Sequence, residues 1–305
     1  MQNVTKRDFI RESFYFRIVY LKNDKLNKKE KTMKIVKRLL KVFAVLFIVG
    51  CLCIGYAFLV EPKRLVVNEY GLEKNDQLAS IKIVQLSDTH VGNHYDIKQL
   101  DKLVEKTNQL EPDLIVFTGD LFDVYSQYPK NKEVQESLSR LQATYGKVAV
   151  WGNRDYGGGA ERIYQDLMEN AGFIVLSNEV MSIKVDNKIL SIGGVDDFLL
   201  GNPQMKRTAD QLNGDYNVLL MHEPDEAEML VNTSADLILT GHSHGGQIRL
   251  PIIPGIRTEL AHRYVDGFYT IDEDTLLFVN TGIGTTKIHA RFMVPPEIDV
   301  FEIKF

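Results

Sequence analysis

Short apolar runs alternate with amphipathic segments along most of the chain after residue 80. Apolar runs of five or six residues predict buried strands over residues 81–86, 114–118, 147–151, 217–221 and 236–240. Apolar positions three and four apart predict helices between them, marked by Ile97, Leu100, Val104, Leu110; Val134, Leu138, Leu141; and Ile163, Leu167, Ala171. Strands that alternate with helices predict an α/β domain.

The second half of this region is richer in strands. Further strands are predicted over residues 173–176, 180–185, 190–193, 265–271, 276–279 and 298–304, and one more over 64–70. Low-complexity linkers and internal repeats do not interrupt the sequence. We therefore expect one large domain over residues 61–305.

A long apolar segment precedes the domain. Residues 42–60 are 19 residues without a charge, close to the ~20 that cross a bilayer core. Lys34, Lys37, Arg38 and Lys41 stand just before it, so we expect a cytoplasmic N-terminus and an extracytoplasmic domain at the cell membrane. The alternative is a cleaved lipoprotein signal ending at Ile48-Val49-Gly50-Cys51. The run continues for nine residues past Cys51, which favours an uncleaved single-pass anchor.

The net charge of the sequence changes sign where the apolar segment begins. Residues 1–41 form a basic tail with 13 Lys/Arg and 4 Asp/Glu, whereas residues 42–305 hold 23 basic and 37 acidic residues, a net charge of −14. An acidic domain disfavours a nucleic-acid partner, which normally meets a basic surface.

Both cysteines, Cys51 and Cys53, lie in the anchor, which suits an oxidising exterior. Translation from Met33 instead of Met1 remains open.

Five of the predicted strands are followed by polar residues of the types that bind metals in proteins. Ligand sites of open α/β sheets lie beyond the carboxyl ends of their strands. A set rich in both histidine and carboxylate favours transition metals over Ca²⁺ or Mg²⁺. The segments are Asp88-Thr89-His90, Gly119-Asp120-Leu121-Phe122-Asp123, Gly152-Asn153-Arg154-Asp155, His222 and Gly241-His242-Ser243-His244.

This ordered set of motifs resembles the calcineurin-like metallophosphoesterase superfamily. The strings at residues 193–197, 241–251 and 280–284 resemble more closely its membrane-associated bacterial branch of the YkuE/YaeI type. The resemblance covers residues 81–305. It implies a four-layer αββα sandwich of two mixed sheets, which here follows an N-terminal transmembrane helix.

The resemblance also implies a binuclear site and the role of each ligand. Asp120 bridges two divalent ions, Mn, Fe or Zn with Mn favoured, and a shared hydroxide attacks the phosphate. Asp123 orients a ligand imidazole from outside the ligand set. The ligands are Asp88, His90, Asp120 and His244 for the first ion, and Asp120, Asn153, His222 and His242 for the second.

One position departs from the family pattern, because Arg154 stands where a histidine is usual. Arginine does not release a proton in proteins, so it cannot act as a general acid. Its planar fork can hold phosphate oxygens and stabilise charge in the transition state. This substitution favours leaving groups that need no protonation, such as those of diphosphates and activated diesters. The alternative is that Arg154 only forms a salt bridge with Asp155.

Together these features predict a membrane-anchored, metal-dependent hydrolase of a phosphodiester or diphosphate bond, with Arg154, Asp155 and Asp123 as further catalytic candidates. An apolar loop over residues 248–256 is either ordinary packing or a contact for a lipid-linked or envelope-precursor substrate. Two alternatives remain: a nucleotide or nucleic-acid phosphodiesterase, and a catalytically weak metal-binding scaffold of the envelope.

Overall fold

The computed structural model describes residues 6–74, 79–128, 130–250 and 255–305, and the chain divides into two compact units, Met1–Gly55 and Tyr56–Phe305. The described residues of the first unit belong to helix α1, which runs from Lys6 to Leu59 over 54 residues. The basic segment is thus helical where the structure describes it. Every side chain from residue 20 to residue 54 is exposed, and a helix that buries no face shows no amphipathic period.

Among the described residues, one helix is long and apolar enough to cross a bilayer, and it is α1. This finding rests on the length and composition of the helix alone, and a signal sequence meets the same criterion. It suggests membrane anchoring at the N-terminal side of the domain. The predicted boundary between residues 60 and 61 stays a prediction.

The second unit begins inside the last turn of α1. Ala57 is buried, and its carbonyl accepts a hydrogen bond of 3.0 Å from the backbone N–H of Arg291. Glu61 is buried as well, and its Oε1 accepts one of 2.6 Å from the N–H of Val294. The segment that follows the apolar helix is therefore part of the folded domain.

The first sheet contains six strands in the spatial order β1-β12-β2-β3-β4-β5. Strands β2 to β5 are parallel neighbours, β12 is antiparallel to β2, and β1 is parallel to β12. The strands are β1 (Val66–Glu73), β2 (Ser80–Leu86), β3 (Leu114–Phe117), β4 (Lys147–Ala149), β5 (Phe173–Val175) and β12 (Glu297–Lys304).

The second sheet also contains six strands, in the order β10-β11-β9-β8-β7-β6. Its four central strands are parallel, and an antiparallel strand closes each edge. The strands are β6 (Glu179–Val185), β7 (Lys188–Gly194), β8 (Tyr216–Leu220), β9 (Leu237–Thr240), β10 (Gly267–Thr270) and β11 (Leu276–Val279). All the strands that the sequence predicts are present, β11 with the predicted bounds and the others with shifted ends.

Within the described ranges, five α-helices complete the domain: α2 (Ile97–Asn108), α3 (Asn131–Leu138), α4 (Asn153–Gly157), α5 (Tyr164–Asn170) and α6 (Met205–Ala209). Helix α2 starts with a reciprocal cap. Asp96 Oδ1 accepts from the N–H of Gln99 at 3.1 Å, and Gln99 Oε1 accepts from the N–H of Asp96 at 3.2 Å. The sequence predicted α2, α3 and α5 and missed the five-residue helices α4 and α6.

Three apolar layers hold the sheets and helices together. Along β2 the side chains alternate, so Ile83 packs into the layer shared by both sheets and Val84 into the layer under the helices. The helix layer contains Leu100 of α2, and a third layer joins Ile238 of β9 to Met205 of α6. The predicted αββα arrangement of two mixed sheets is confirmed. Residues 251–254 of the predicted apolar loop lie outside the described residues.

Candidate metal centre

The predicted ligands come together beyond the carboxyl ends of parallel strands from both sheets. Strands β2, β3 and β4 end before Asp88, Asp120 and Asn153, and β8 and β9 end before His222 and His242. Parallel neighbours present their carboxyl ends at one edge. The carboxyl-end edges of the two sheets lie next to each other. His90, which follows β2 of the first sheet, contacts His244, which follows β9 of the second sheet.

Most of these residues have an unusual backbone conformation. L-residues rarely adopt a left-handed φ, and such residues cluster at functional sites. Positive φ values occur at five ligand positions: Asp88 (50°), His90 (45°), Asp120 (62°), His242 (65°) and His244 (50°). The strand ends thus turn sharply to aim their side chains at one point.

Gly119 shows how tightly these turns pack. Its φ is +95°, and a Cβ there would lie 2.7 Å from the backbone N of Gly152 and 2.8 Å from Nδ1 of His222. Glycine is therefore required before Asp120, both for its backbone angle and for the space that His222 occupies.

Asp88, His90 and His244 form the first ligand group. Nε2 of His90 lies 2.9 Å from Nε2 of His244, and Oδ1 of Asp88 lies 3.6 Å and 3.4 Å from these two nitrogens. All three side chains are buried. Two imidazole nitrogens and a carboxylate oxygen converge here on one small volume.

Asp120, His222 and His242 form the second group, whose ligand atoms all lie within 4.8 Å of one another. Oδ1 of Asp120 is 3.4 Å from Nε2 of His222. The other oxygen of Asp120, Oδ2, is 3.5 Å from Nε2 of His90 in the first group. Asp120 therefore faces both groups with different oxygens.

Backbone carbonyls fix two of the imidazoles. Nδ1 of His222 is 2.6 Å from the carbonyl oxygen of Thr118, and Nε2 of His242 is 2.7 Å from that of Glu259. A ring nitrogen facing a carbonyl must donate its proton, which leaves the other nitrogen as an acceptor. Such hydrogen bonds are typical of metal-ligating histidines.

The donors fit a pair of divalent ions. Among the described residues, four buried atoms of the predicted ligands have no hydrogen-bond partner: Oδ1 of Asp88, Nδ1 of His90, Oδ1 of Asn153 and Nε2 of His222. Buried polar atoms are normally paired, and the oxygens of Asp88 and Asn153 and Nε2 of His222 can each donate a lone pair to a cation. The two residue groups fit a binuclear site.

The charges of the site support the same conclusion. Burial opposes ionisation of Asp120, but His222 and His90 together outweigh it and lower the pKa of that carboxyl. Burial and the adjacent His222 lower the pKa of His242 to about 4, and burial lowers the pKa of His244. Ionised carboxylates and neutral imidazoles are the forms that bind metals. His222 differs, because the carboxylates of Asp120 and Asp88 raise its pKa although burial opposes this. An ion bound at the second group would therefore replace the proton of His222.

Asp155 lies beneath Asp120 and holds the loops after β3 and β4 together. Its carboxylate accepts hydrogen bonds from the N–H groups of Asp120 (2.9 Å), Leu121 (2.9 Å) and Gly152 (3.0 Å). Burial and the charge of Asp120 raise its pKa, whereas these three donors favour its ionised form. Asp155 is fully buried, so its contacts are those of a residue that positions Asp120.

Arg154 lines a cavity whose wall also includes the predicted ligands Asp120 and His244. Its guanidinium donates a 2.9 Å hydrogen bond to Oγ1 of Thr286, and its backbone N–H donates one of 2.7 Å to Oδ1 of Asp120. The carboxylate of Asp155 is occupied by backbone N–H groups instead. The arrangement thus differs from the alternative in which Arg154 only pairs with Asp155.

Asp123 lies at the edge of the first group. Its Oδ1 is 4.0 Å from Nδ1 of His90, which is beyond hydrogen-bond distance. The side chain is one quarter exposed. Its proposed role in orienting His90 stays a prediction.

The cavity also contains residues that the sequence did not single out. It has a volume of about 150 Å³, and its rim includes Thr286 and Lys287. Arg291 is fully buried beside the site and donates to the carbonyls of Thr281, Gly282 and Gly284. Lone polar residues in a loop carry no pattern, so only the tertiary fold reveals them.

Comparison with known proteins identifies the family. The family model described as calcineurin-like phosphoesterase matches residues 81–246. The metallophosphoesterase YkuE of Bacillus subtilis is 36% identical over 256 residues, covering 82% of this chain and 89% of YkuE. Phosphodiesterase YaeI of Escherichia coli is 28% identical, covering 82% of this chain and 92% of YaeI.

A zebrafish relative, named as a transmembrane protein with a metallophosphoesterase domain, is 28% identical and covers 82% of this chain and 59% of that protein. The family match, the relatives and the two ligand groups agree with the resemblance seen in the motifs. The chain belongs to the calcineurin-like metallophosphoesterase family, a family of metal-dependent phosphoric ester hydrolases, in the branch that includes YkuE and YaeI.

Proposed function

We propose that this protein is a membrane-anchored enzyme that hydrolyses a phosphodiester or diphosphate bond at a binuclear metal site. Asp88, His90 and His244 would hold one ion, and Asn153, His222 and His242 the other. Asp120 would bridge them. Manganese is our preferred metal, with iron and zinc as alternatives, since all three accept mixed imidazole and carboxylate ligands.

The position of Asp120 is the single observation that carries this proposal. Its two oxygens lie 3.5 Å from His90 Nε2 and 3.4 Å from His222 Nε2. Only a carboxylate offers two anionic oxygens in this geometry. When bound, the ions would supply an activated water and neutralise charge on the phosphate.

The chain's own residues prepare the site for that chemistry. Asp155 fixes the backbone around Asp120, and the carbonyls of Thr118 and Glu259 orient two imidazoles. Arg154 and Lys287 place positive charge on the cavity wall. These cations would hold the phosphate oxygens and stabilise charge in the transition state.

The cavity and Arg154 support a substrate class. A volume of 150 Å³ is below the roughly 300–1,000 Å³ of sites that enclose a whole small molecule. The phosphate would therefore enter, and the rest of the substrate would extend outside. Because Arg154 cannot give a proton to the departing oxygen, we favour diphosphates and activated diesters, including lipid-linked or envelope-precursor ones, over alkyl monoesters.

A hydrolysis screen tests this function. Full-length protein is purified in a neutral detergent, stripped with a chelator and resupplied with Mn²⁺. We expect turnover of diesters, nucleotide diphosphates and lipid-linked diphosphates to return with the metal and to exceed turnover of glycerol phosphate. The chelated protein is the control. A preference for alkyl monoesters would contradict the proposed leaving-group rule.

The proposed orientation places the N-terminus in the cytoplasm and the catalytic domain outside. It is supported by the lysines and arginine before the apolar run. A protease added to intact cells should digest the domain after residue 60 and leave residues before 42 protected. Permeabilised cells are the control, since both parts should then be cleaved. Protection of the domain in intact cells would show the opposite orientation.

A further inference from the structure

A second cavity, distinct from the metal centre, lies beside helix α2. It has a volume of about 490 Å³ and is lined by Lys63, Lys98, Lys102 and Lys106, with Pro62 and Leu65 among its apolar residues. We call it the lysine groove. It contains no metal-ligand candidate, so the site described above does not explain it.

Among the described residues, the lysines of the groove form no ion pair, although Asp101 and Glu105 stand on the same helix and Asp101 pairs with Arg140. Lys98, Lys102 and Lys106 are four residues apart on α2 and so lie on one helix face. Like charges at this spacing destabilise a helix. Within the described ranges, no acidic side chain forms an ion pair with any of the four groove lysines.

Asp96 is the acidic residue among those that line the groove, and its carboxylate caps α2 by accepting from the N–H of Gln99. All four lysines are exposed. They stand out from a segment, residues 42–305, that carries a net charge of −14. The groove thus combines unpaired positive charge with an apolar wall, which suits an amphipathic anion.

The chain itself sets how far the groove is from the apolar helix. Helix α1 ends at Leu59, and the groove residues Pro62 and Lys63 follow three and four positions later. Four residues reach at most roughly 14 Å. The headgroup region adds about 5–8 Å on each side of the hydrocarbon core. If α1 spans a bilayer, one wall of the groove starts near headgroup depth.

We propose that the lysine groove binds the phosphate of an anionic phospholipid in the leaflet where α1 ends. The inference rests on the membrane anchor proposed above. The ammonium groups of Lys98, Lys102 and Lys106 would neutralise the phosphate. Pro62 and Leu65, which are half-buried, would contact the glycerol and the first carbons of the acyl chains. Such binding would hold the domain against the bilayer surface.

Lysine footprinting tests the proposal on the full chain. The protein is placed in nanodiscs of phosphatidylcholine alone or with added phosphatidylglycerol, treated with a water-soluble acylating reagent, and each lysine is quantified by mass spectrometry. We expect about fivefold slower acylation of the four groove lysines in the anionic discs. Lys184 and Lys206, exposed on β6 and α6, should react equally in both and provide the internal control.

A charge-matched pair of variants gives a second measurement. Lys98→Gln/Lys102→Gln/Lys106→Gln should lose phosphatidylglycerol in native mass spectrometry. Lys132→Gln/Lys184→Gln/Lys206→Gln, which changes exposed lysines elsewhere, should retain it. Unchanged turnover of a soluble diester shows that the groove variant is folded. If that variant does not fold, the footprinting experiment still tests the proposal, because it uses the unaltered chain.

Each outcome decides the proposal. Equal reactivity of the groove lysines in both discs would overturn it, as would equal lipid loss in both triple variants. Inorganic phosphate added to neutral discs should not reproduce the protection. If it does, the groove is a free-anion site and the lipid assignment is wrong. A protein that is not retained in discs at all would instead refute the anchor.

Discussion

Replacing Asp120 with asparagine should reduce turnover by about 10³-fold or more, because both ligand groups lose the carboxylate that they share. The structure makes asparagine the informative replacement. Asp120 has a φ of 62°, which asparagine tolerates, and an amide oxygen can still accept the hydrogen bond from the N–H of Arg154. Metal content, measured by elemental mass spectrometry after dialysis, should fall together with the rate.

Asp186→Asn is the matched control for this experiment. Asp186 is an exposed residue with a φ of 53° in the turn between β6 and β7, so the chemical change and the backbone conformation are the same. Its turnover and metal content should equal those of the unaltered chain. An Asp120→Asn protein that keeps two ions and near-normal turnover would refute the binuclear assignment.

Replacing Arg154 with alanine should leave both metals bound and cut turnover by about 10²–10³-fold, the usual cost of one lost transition-state donor. The loss should be greater for diphosphates and diesters than for a mononucleotide. Arg154→Lys should restore activity only in part, since an ammonium group cannot replace a planar fork. Initial rates and metal content for each substrate class give the measurement.

Two further variants show how Arg154 acts. Thr286→Val removes the 2.9 Å contact to the guanidinium and should cause a smaller loss than Arg154→Ala, because the fork keeps its charge but loses its alignment. Arg154→His should raise the hydrolysis of monoesters relative to diesters. Arg207→Ala, at an exposed position of helix α6, should change nothing. If Arg154→Ala also leaves turnover unchanged, the proposed preference for substrates whose leaving group needs no protonation is wrong.

The sequence predicts the parts of this fold that depend on local pattern. Buried strands such as β3 and β9 appear as apolar runs, and the polar residues at their ends, such as Asp120 and His242, mark the site. The two-sheet arrangement followed from the family resemblance, whereas the order of the strands within each sheet was not predicted. Periodicity alone gave only an α/β domain.

The missed features depend on tertiary contacts. Arg291 is a single arginine in a loop, and only folding shows that it is buried against the carbonyls of residues 281–284. Lys287 reaches the cavity rim in the same way. The helical course of residues 6–41 had no periodic signal because its described side chains bury no face.

The hydrogen bonds between the end of α1 and the domain set a limit on how the enzyme can be shortened. The carbonyl of Ala57 and the carboxylate of Glu61 bind the segment of Arg291 and Val294, and Arg291 in turn supports the loop whose Gly282 packs against Asp88. A truncation at residue 60 would remove one of these bonds although it spares every metal ligand. A soluble form of the enzyme should therefore begin at or before Tyr56.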